Sequence, residues 1–86
     1  MPELSRFFGI VVRMYYDDHQ PPHVHIEHQG NKALLDFQGN VLRGDLKSRT
    51  ALRLAREWID LHVAELEQDW ALVRAGHEAR KIEPLN

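Results

Sequence analysis

The hydrophobic pattern of this chain changes period once, near Leu46, and that single switch limits the folds open to it. Before Leu46, apolar residues alternate or run in short blocks bounded by Gly/Asn turns. After it, they recur every three or four positions. Strands first and helix second, within 86 residues, exclude the repeated strand–helix–strand units of a parallel sheet. The expectation is α+β: a small antiparallel meander of three or four strands packed against one long or kinked C-terminal helix. It is expected as one domain over residues 1–86, with strands at about 7–46, a helical part at about 48–75 and a short tail at 77–86.

Residues 7–16 read as the first strand. Phe8, Ile10, Val12 and Met14 fall on one face, and Phe7, Val11 and Tyr15 on the other, broken by Arg13. Asp17-Asp18-His19-Gln20-Pro21-Pro22 ends it, because two prolines remove two donors and hold Gln20 extended. Residues 23–28 alternate, with Val24 and Ile26 opposite His23, His25 and Glu27. Turns at Gln29-Gly30-Asn31 and Gln38-Gly39-Asn40 bracket a third strand carrying Ala33, Leu35 and Phe37 on one face. Residues 41–46 form a weaker fourth strand.

Ser48 is the expected N-cap of the helical part, and Gly76 the residue that ends it. Ala51, Leu52, Ala55, Trp58, Ile59, Val63 and Leu66 make the apolar stripe, which Trp70 and Val73 continue. An unbroken helix over 49–75 would be ~40 Å long at 1.5 Å per residue. A domain of this size has a compact radius of ~12 Å, so a break is expected near residues 62–67. The tail is polar except for Ile82 and Leu85, through which it docks or else frays.

Composition narrows the function. With no cysteine there is no disulfide, thiol nucleophile or thiolate zinc site. No apolar run reaches the ~20 residues of a membrane span, and Met-Pro-Glu-Leu-Ser lacks the layout of a signal peptide. The expected location is the cytoplasm. A formal charge of −2 argues against a strongly basic nucleic-acid clamp. Six histidines qualify that, since protonating all of them would carry the charge from −2 to +4. Four of them, His19, His23, His25 and His28, fall within ten residues.

This cluster is the strongest site candidate. Residues i and i+2 on a strand share a face ~6.6 Å apart, so His23 and His25 can converge on one ligand. His19 with Asp17 or Asp18 would complete a mixed nitrogen and oxygen site for a transition metal ion. The metal candidates are therefore Asp18, His19, His23 and His25. Alternatively, His19, His23 and His25 divide acid and base roles in metal-free RNA cleavage. Arg13, Lys32 and Arg43 would then hold phosphate, and Tyr15 and Tyr16 would stack on bases. The competing reading is a half-exposed polar strand face whose histidines hydrogen-bond Glu27, Asp17 or Asp18. Under that reading no cofactor is needed.

A second candidate is the helix stripe Arg49, Arg53 and Arg56, preceded by Lys47, which suits phosphate or an acidic partner. Its plainer role is to pair Arg53 with Glu57 and Arg56 with Asp60. Trp58, Trp70 and His62 lie on the apolar stripe and read as core. Phosphate-loop, dinucleotide, zinc-protease and nucleophile-elbow motifs do not occur.

Several stretches resemble the family catalogued as domain of unknown function 4160. They are Ser5-Arg6-Phe7-Phe8-Gly9-Ile10 with Arg13-Met14-Tyr15, then Asp18-His19-Gln20-Pro21-Pro22-His23-Val24-His25. The helix pattern Ala51-Leu52-Arg53, Glu57-Trp58, His62, Glu65-Leu66, Trp70 and the ending Lys81-Ile82-Glu83-Pro84-Leu85 are similar too. One departure is Val24, where the family leads one to expect an aromatic residue. The resemblance implies a small bacterial protein of unassigned activity. Members often stand beside another small protein, in the manner of a toxin–antitoxin pair. It therefore implies a small protein partner, with RNA or DNA as a conceivable target and self-association left open. Arg13, Tyr15, Arg49, Arg53 and Arg56 are the candidate contacts to partner or nucleic acid.

Overall fold

The computed structural model describes residues 3–16 and 19–86. In chain order the elements are β1 (Glu3–Phe7), β2 (Ile10–Arg13), β3 (His23–His28), β4 (Asn31–Asp36), β5 (Val41–Gly44), α1 (Arg49–Leu61) and α2 (Val63–Arg74). The strands form one antiparallel sheet in the order β1-β2-β3-β4-β5. The class is α+β. Among the described residues no helix is long and apolar enough to cross a membrane.

The sheet has five strands, not the three or four expected. The additional strand is β1, which lies almost wholly before the first strand expected at residues 7–16; of that stretch only residues 10–13 form a strand beyond the turn, β2. The chain reverses at Phe8-Gly9, where both residues have positive φ (49° and 76°). Two such residues make the tight hairpin turn whose twist matches the flanking strands. Phe is a poor turn former, and its apolar character conceals the reversal. Here Phe8 stands at the tip, 60% exposed. The turn also changes which residues share a face. Phe7 joins Ile10, Val12 and Met14 in the core, and Phe8 leaves it.

One face of the sheet is buried. Leu4, Phe7, Ile10, Val12, Val24, Ile26, Ala33, Leu35 and Phe37 pack with Ala51, Ala55, Trp58 and Ile59 of α1 and with Leu66, Trp70 and Val73 of α2. The Phe7 and Trp58 rings stack at 5.7 Å. Each large apolar side chain buried in this way contributes roughly 1.5–3 kcal/mol.

The helical part is two helices, not one. Ser48 caps α1 as expected, its Oγ accepting from the Ala51 N–H at 3.0 Å. The break falls at His62 (φ −124°, ψ 26°). Its ring lies 5.3 Å from that of Trp58, and its Nδ1–H donates to the Glu65 carboxylate at 2.6 Å. The break re-aims the apolar stripe, so Leu66, Trp70 and Val73 reach the core that α1 already covers. At the end of α2, Gly76 adopts φ +84°. The Gly76 N–H donates to Val73 O and the His77 N–H to Leu72 O, the paired bonds of a left-handed helix stop.

The tail docks. Ile82 is buried and its N–H donates to Leu4 O at 2.8 Å, along the outer edge of β1. Trp58 Nε1–H donates to Glu83 O at 2.7 Å, and the Arg80 N–H donates to the buried carboxylate of Asp69 at 2.8 Å.

Candidate functional site

The sheet face away from the helices carries the polar half of the strand alternation. Register places Arg13, His25, Leu34 and Arg43 side by side across β2, β3, β4 and β5. The adjacent row is Val11, Glu27 and Lys32. Together with Tyr15 these residues, Val11 excepted, line an open groove of about 320 Å³. A second open groove of about 470 Å³ continues past His25, Leu34 and Arg43 to His19, Pro21, His23 and Leu42.

Four aromatic rings run from the first groove towards α2. Tyr15 meets His25 edge-on at 4.5 Å, His25 lies 5.2 Å from His23, and His23 lies 5.5 Å from Trp70. His23 is buried and His25 half-buried. His23 Nδ1 is 2.8 Å from the Pro21 carbonyl oxygen. A carbonyl only accepts, so this nitrogen carries the proton and fixes the ring's orientation. The structure thus brings His23 and His25 together, with the exposed His19 on the same groove. His28 falls on the buried side of the strand, where its Nδ1 has no partner. Asp17 and Asp18 lie outside the described residues. Among the described residues no group of three or more His, Asp or Glu is arranged to hold a metal ion.

Charge on this face is partly matched. Arg13 Nη1 donates to Glu27 Oε1 at 2.7 Å, and Arg6 Nη2 to Glu3 Oε1 at 2.9 Å. The Arg13 hydrogen bond holds the Glu27 carboxyl below the usual carboxylate range, assisted by the charges of Arg13, Lys32 and Arg6. Likewise the Arg6 hydrogen bond lowers Glu3. Arg13 Nε is buried without a partner. No ion pair among the described residues reaches Lys32 or Arg43.

The basic stripe on α1 lies elsewhere, against another open groove lined by Arg49, Leu52, Arg53 and Arg56. Arg53 pairs with Glu57 at 3.0 Å, as spacing suggests. Arg56 does not pair with Asp60. Its Nε–H donates to Gly39 O at 2.8 Å and ties α1 to the β4–β5 turn. That turn is also held by Asp36, whose carboxylate accepts from the Gln38 and Asn40 N–H groups at 2.9 and 2.8 Å. Burial pushes the Asp36 carboxyl up, but the hydrogen bonds from Asn40, Gln38 and Gly39 outweigh it and the net shift is down.

Over residues 9–71 the chain matches the family described as Domain of unknown function (DUF4160). The chain belongs to that family. The match starts at Gly9 of the β1–β2 turn and ends within α2. It therefore contains both grooves, the histidine segment and all of β5, but not β1 or the tail. No curated protein and no solved structure matches the chain.

Two features escape a reading of the sequence. One is the open edge of β5, where Val41 and Leu42 are 40% and 43% exposed. Its only signal is that the β5 segment is weak and contains Gly44. The other is the buried Asp69, which sits among charged neighbours on α2 and reads as surface.

Proposed function

We propose that this is a small cytoplasmic bacterial protein of toxin–antitoxin type that acts by binding a small protein partner, which adds a strand to β5. The observation that carries the reading is the state of that edge. All four residues of β5 are exposed. Among the described residues, no backbone bond joins it on the side away from β4. An unpaired strand edge is a template for another strand, with main-chain bonds supplying affinity and alternate side chains supplying specificity. Asp36 holds the turn before β5. Asp45 holds the turn after it, its Oδ1 accepting from the Lys47 N–H at 2.8 Å. The edge is therefore pre-organised, which lowers the ordering cost of binding. The toxin–antitoxin assignment rests on the gene arrangement typical of the family it resembles.

Co-expression with the neighbouring gene product, then size exclusion, tests the reading. Co-elution is expected for the native protein. It should be lost in Val41→Lys/Leu42→Lys, whose stability changes by only about 0.5 kcal/mol, as for most surface substitutions. Separate elution of the native pair at micromolar concentration, or a homodimer that excludes the partner, overturns it.

The approach of His23 to His25, with Arg43 beside them, favours a second reading: a histidine-dependent ribonuclease or transition-metal binder. Incubation with RNA, with and without chelator, separates the two forms. Undiminished cleavage by His25→Ala, or imidazole signals that stay fixed at micromolar zinc or nickel, dismisses the corresponding form.

A further inference from the structure

We infer that the outer face of the sheet, between Arg13 and Arg43, binds single-stranded nucleic acid. The inference stands apart from the partner-binding reading, because it uses the face of the sheet and not its edge.

Charge is the first argument. Cross-strand register gathers four cations on this face, Arg6, Arg13, Lys32 and Arg43, against three carboxylates, Glu3, Glu27 and Asp36. Glu3 and Glu27 are engaged by arginine and Asp36 by the β4–β5 turn, and four cations against three carboxylates leave a positive excess although the whole chain carries −2. Lys32 and Arg43 form no ion pair among the described residues. Such a segregated patch attracts phosphate without requiring a basic protein overall.

Span is the second. Arg13 and Arg43 sit at opposite ends of a row three strand spacings wide, roughly 14 Å. One phosphate would engage one end of the row, whereas a strand can engage both.

Aromatic content is the third. Tyr15 and His25 meet at 4.5 Å within the groove, and His25 stands between the terminal cations. Bases that stack on aromatic side chains are unpaired, so the combination selects a single strand over a duplex. The open, shallow shape of the groove suits a polymer lying across it. Phosphodiester and base are common to RNA and DNA, and the experiment distinguishes them.

Fluorescence anisotropy with labelled 12-nucleotide RNA and DNA of mixed sequence provides the test, at several salt concentrations. Saturable binding of either single strand, tighter than that of the matching duplex, is expected. Lys32→Ala/Arg43→Ala should weaken it at least tenfold and reduce the log–log salt slope by roughly 1.4, about 0.7 for each cation removed. Tyr15→Leu should weaken it by on the order of tenfold through lost stacking. Arg49→Ala/Arg53→Ala on α1 should leave it unchanged. Val41→Lys/Leu42→Lys should retain it, which keeps failure of the edge and failure of the face distinguishable. Lack of binding to either strand at micromolar protein overturns the inference. So does binding that Lys32→Ala/Arg43→Ala does not weaken, with the fold intact by thermal unfolding.

Discussion

The two edges of this sheet are finished differently. On the β1 side the chain covers its own edge: Ile82 is buried, its N–H meets Leu4 O, and Glu83 O accepts from Trp58. On the β5 side nothing among the described residues covers the edge, and Val41 and Leu42 face solvent. Edge strands invite unwanted pairing unless they are covered, shortened or bent. β1 takes the first remedy. β5 takes the others: it has four residues, a bulge opposite Leu34/Leu35 and an arginine. A covered edge is part of the core's stability, whereas an open, blunted edge is available to a chosen partner.

Substitutions on the two sides should therefore behave differently. The largest effect is expected at Ile82→Ala, which leaves a cavity and frees the tail. A loss of about 2–5 kcal/mol, on the order of 10 °C or more in thermal midpoint, would be read by calorimetry. A change under 1 kcal/mol would mean that the tail is not part of the core.

Next is Gly44→Ala. Gly44 has φ +85°, and an added Cβ would lie 2.3 Å from Lys32 O on β4. The clash should cost roughly 1–3 kcal/mol. It should appear mainly as lost amide protection in residues 41–44, because an edge strand can detach without unfolding the rest. Equal loss of protection in β1 and β5 would remove the distinction drawn between the edges.

The smallest effect concerns Asp69, which holds the tail through the Arg80 N–H while its Oδ2 has no partner. Burial raises its carboxyl above the ordinary value, against the Arg80 hydrogen bond and charge, with Glu65 adding to the rise. A raised folded-state value favours the fold fully below the ordinary aspartate range, and that contribution is lost as pH rises through the raised value. Asp69→Asn keeps the acceptor and removes the desolvated charge. It should gain on the order of 1 kcal/mol at neutral pH and nothing at low pH, as followed by urea unfolding across pH. Destabilisation at neutral pH would show that the carboxylate is charge-paired.

How much of this was legible in the sequence depends on the residue. Period two exposed β3 and β4, and the QG turns fixed their ends, since Gln29-Gly30 and Gly39 carry the positive φ values those turns need. Ser48 and Gly76 marked the helical limits for the same local reason. Phe8 hid a reversal because propensity argues against it there, and the gain lies in how both resulting strands pair. His62 broke the helix without Pro or Gly, through contacts to Trp58 and Glu65 that the local pattern does not encode. At the site, i/i+2 spacing was enough to bring His23 and His25 together. It did not reveal that Trp70 buries one of them, nor that Arg13 is held by Glu27, because both depend on register and packing between distant segments.

The bond between Ile82 and Leu4 joins residues near opposite ends of the described chain. Contacts of such long separation form late, after hairpins whose partners are neighbours in sequence. Closing so long a loop costs more chain entropy than closing any hairpin, so the expected order leaves both edges of the meander bare until the tail docks. The asymmetry that distinguishes the finished protein is acquired in time as well as in space, and crowding of nascent chains is most hazardous before residue 82 arrives.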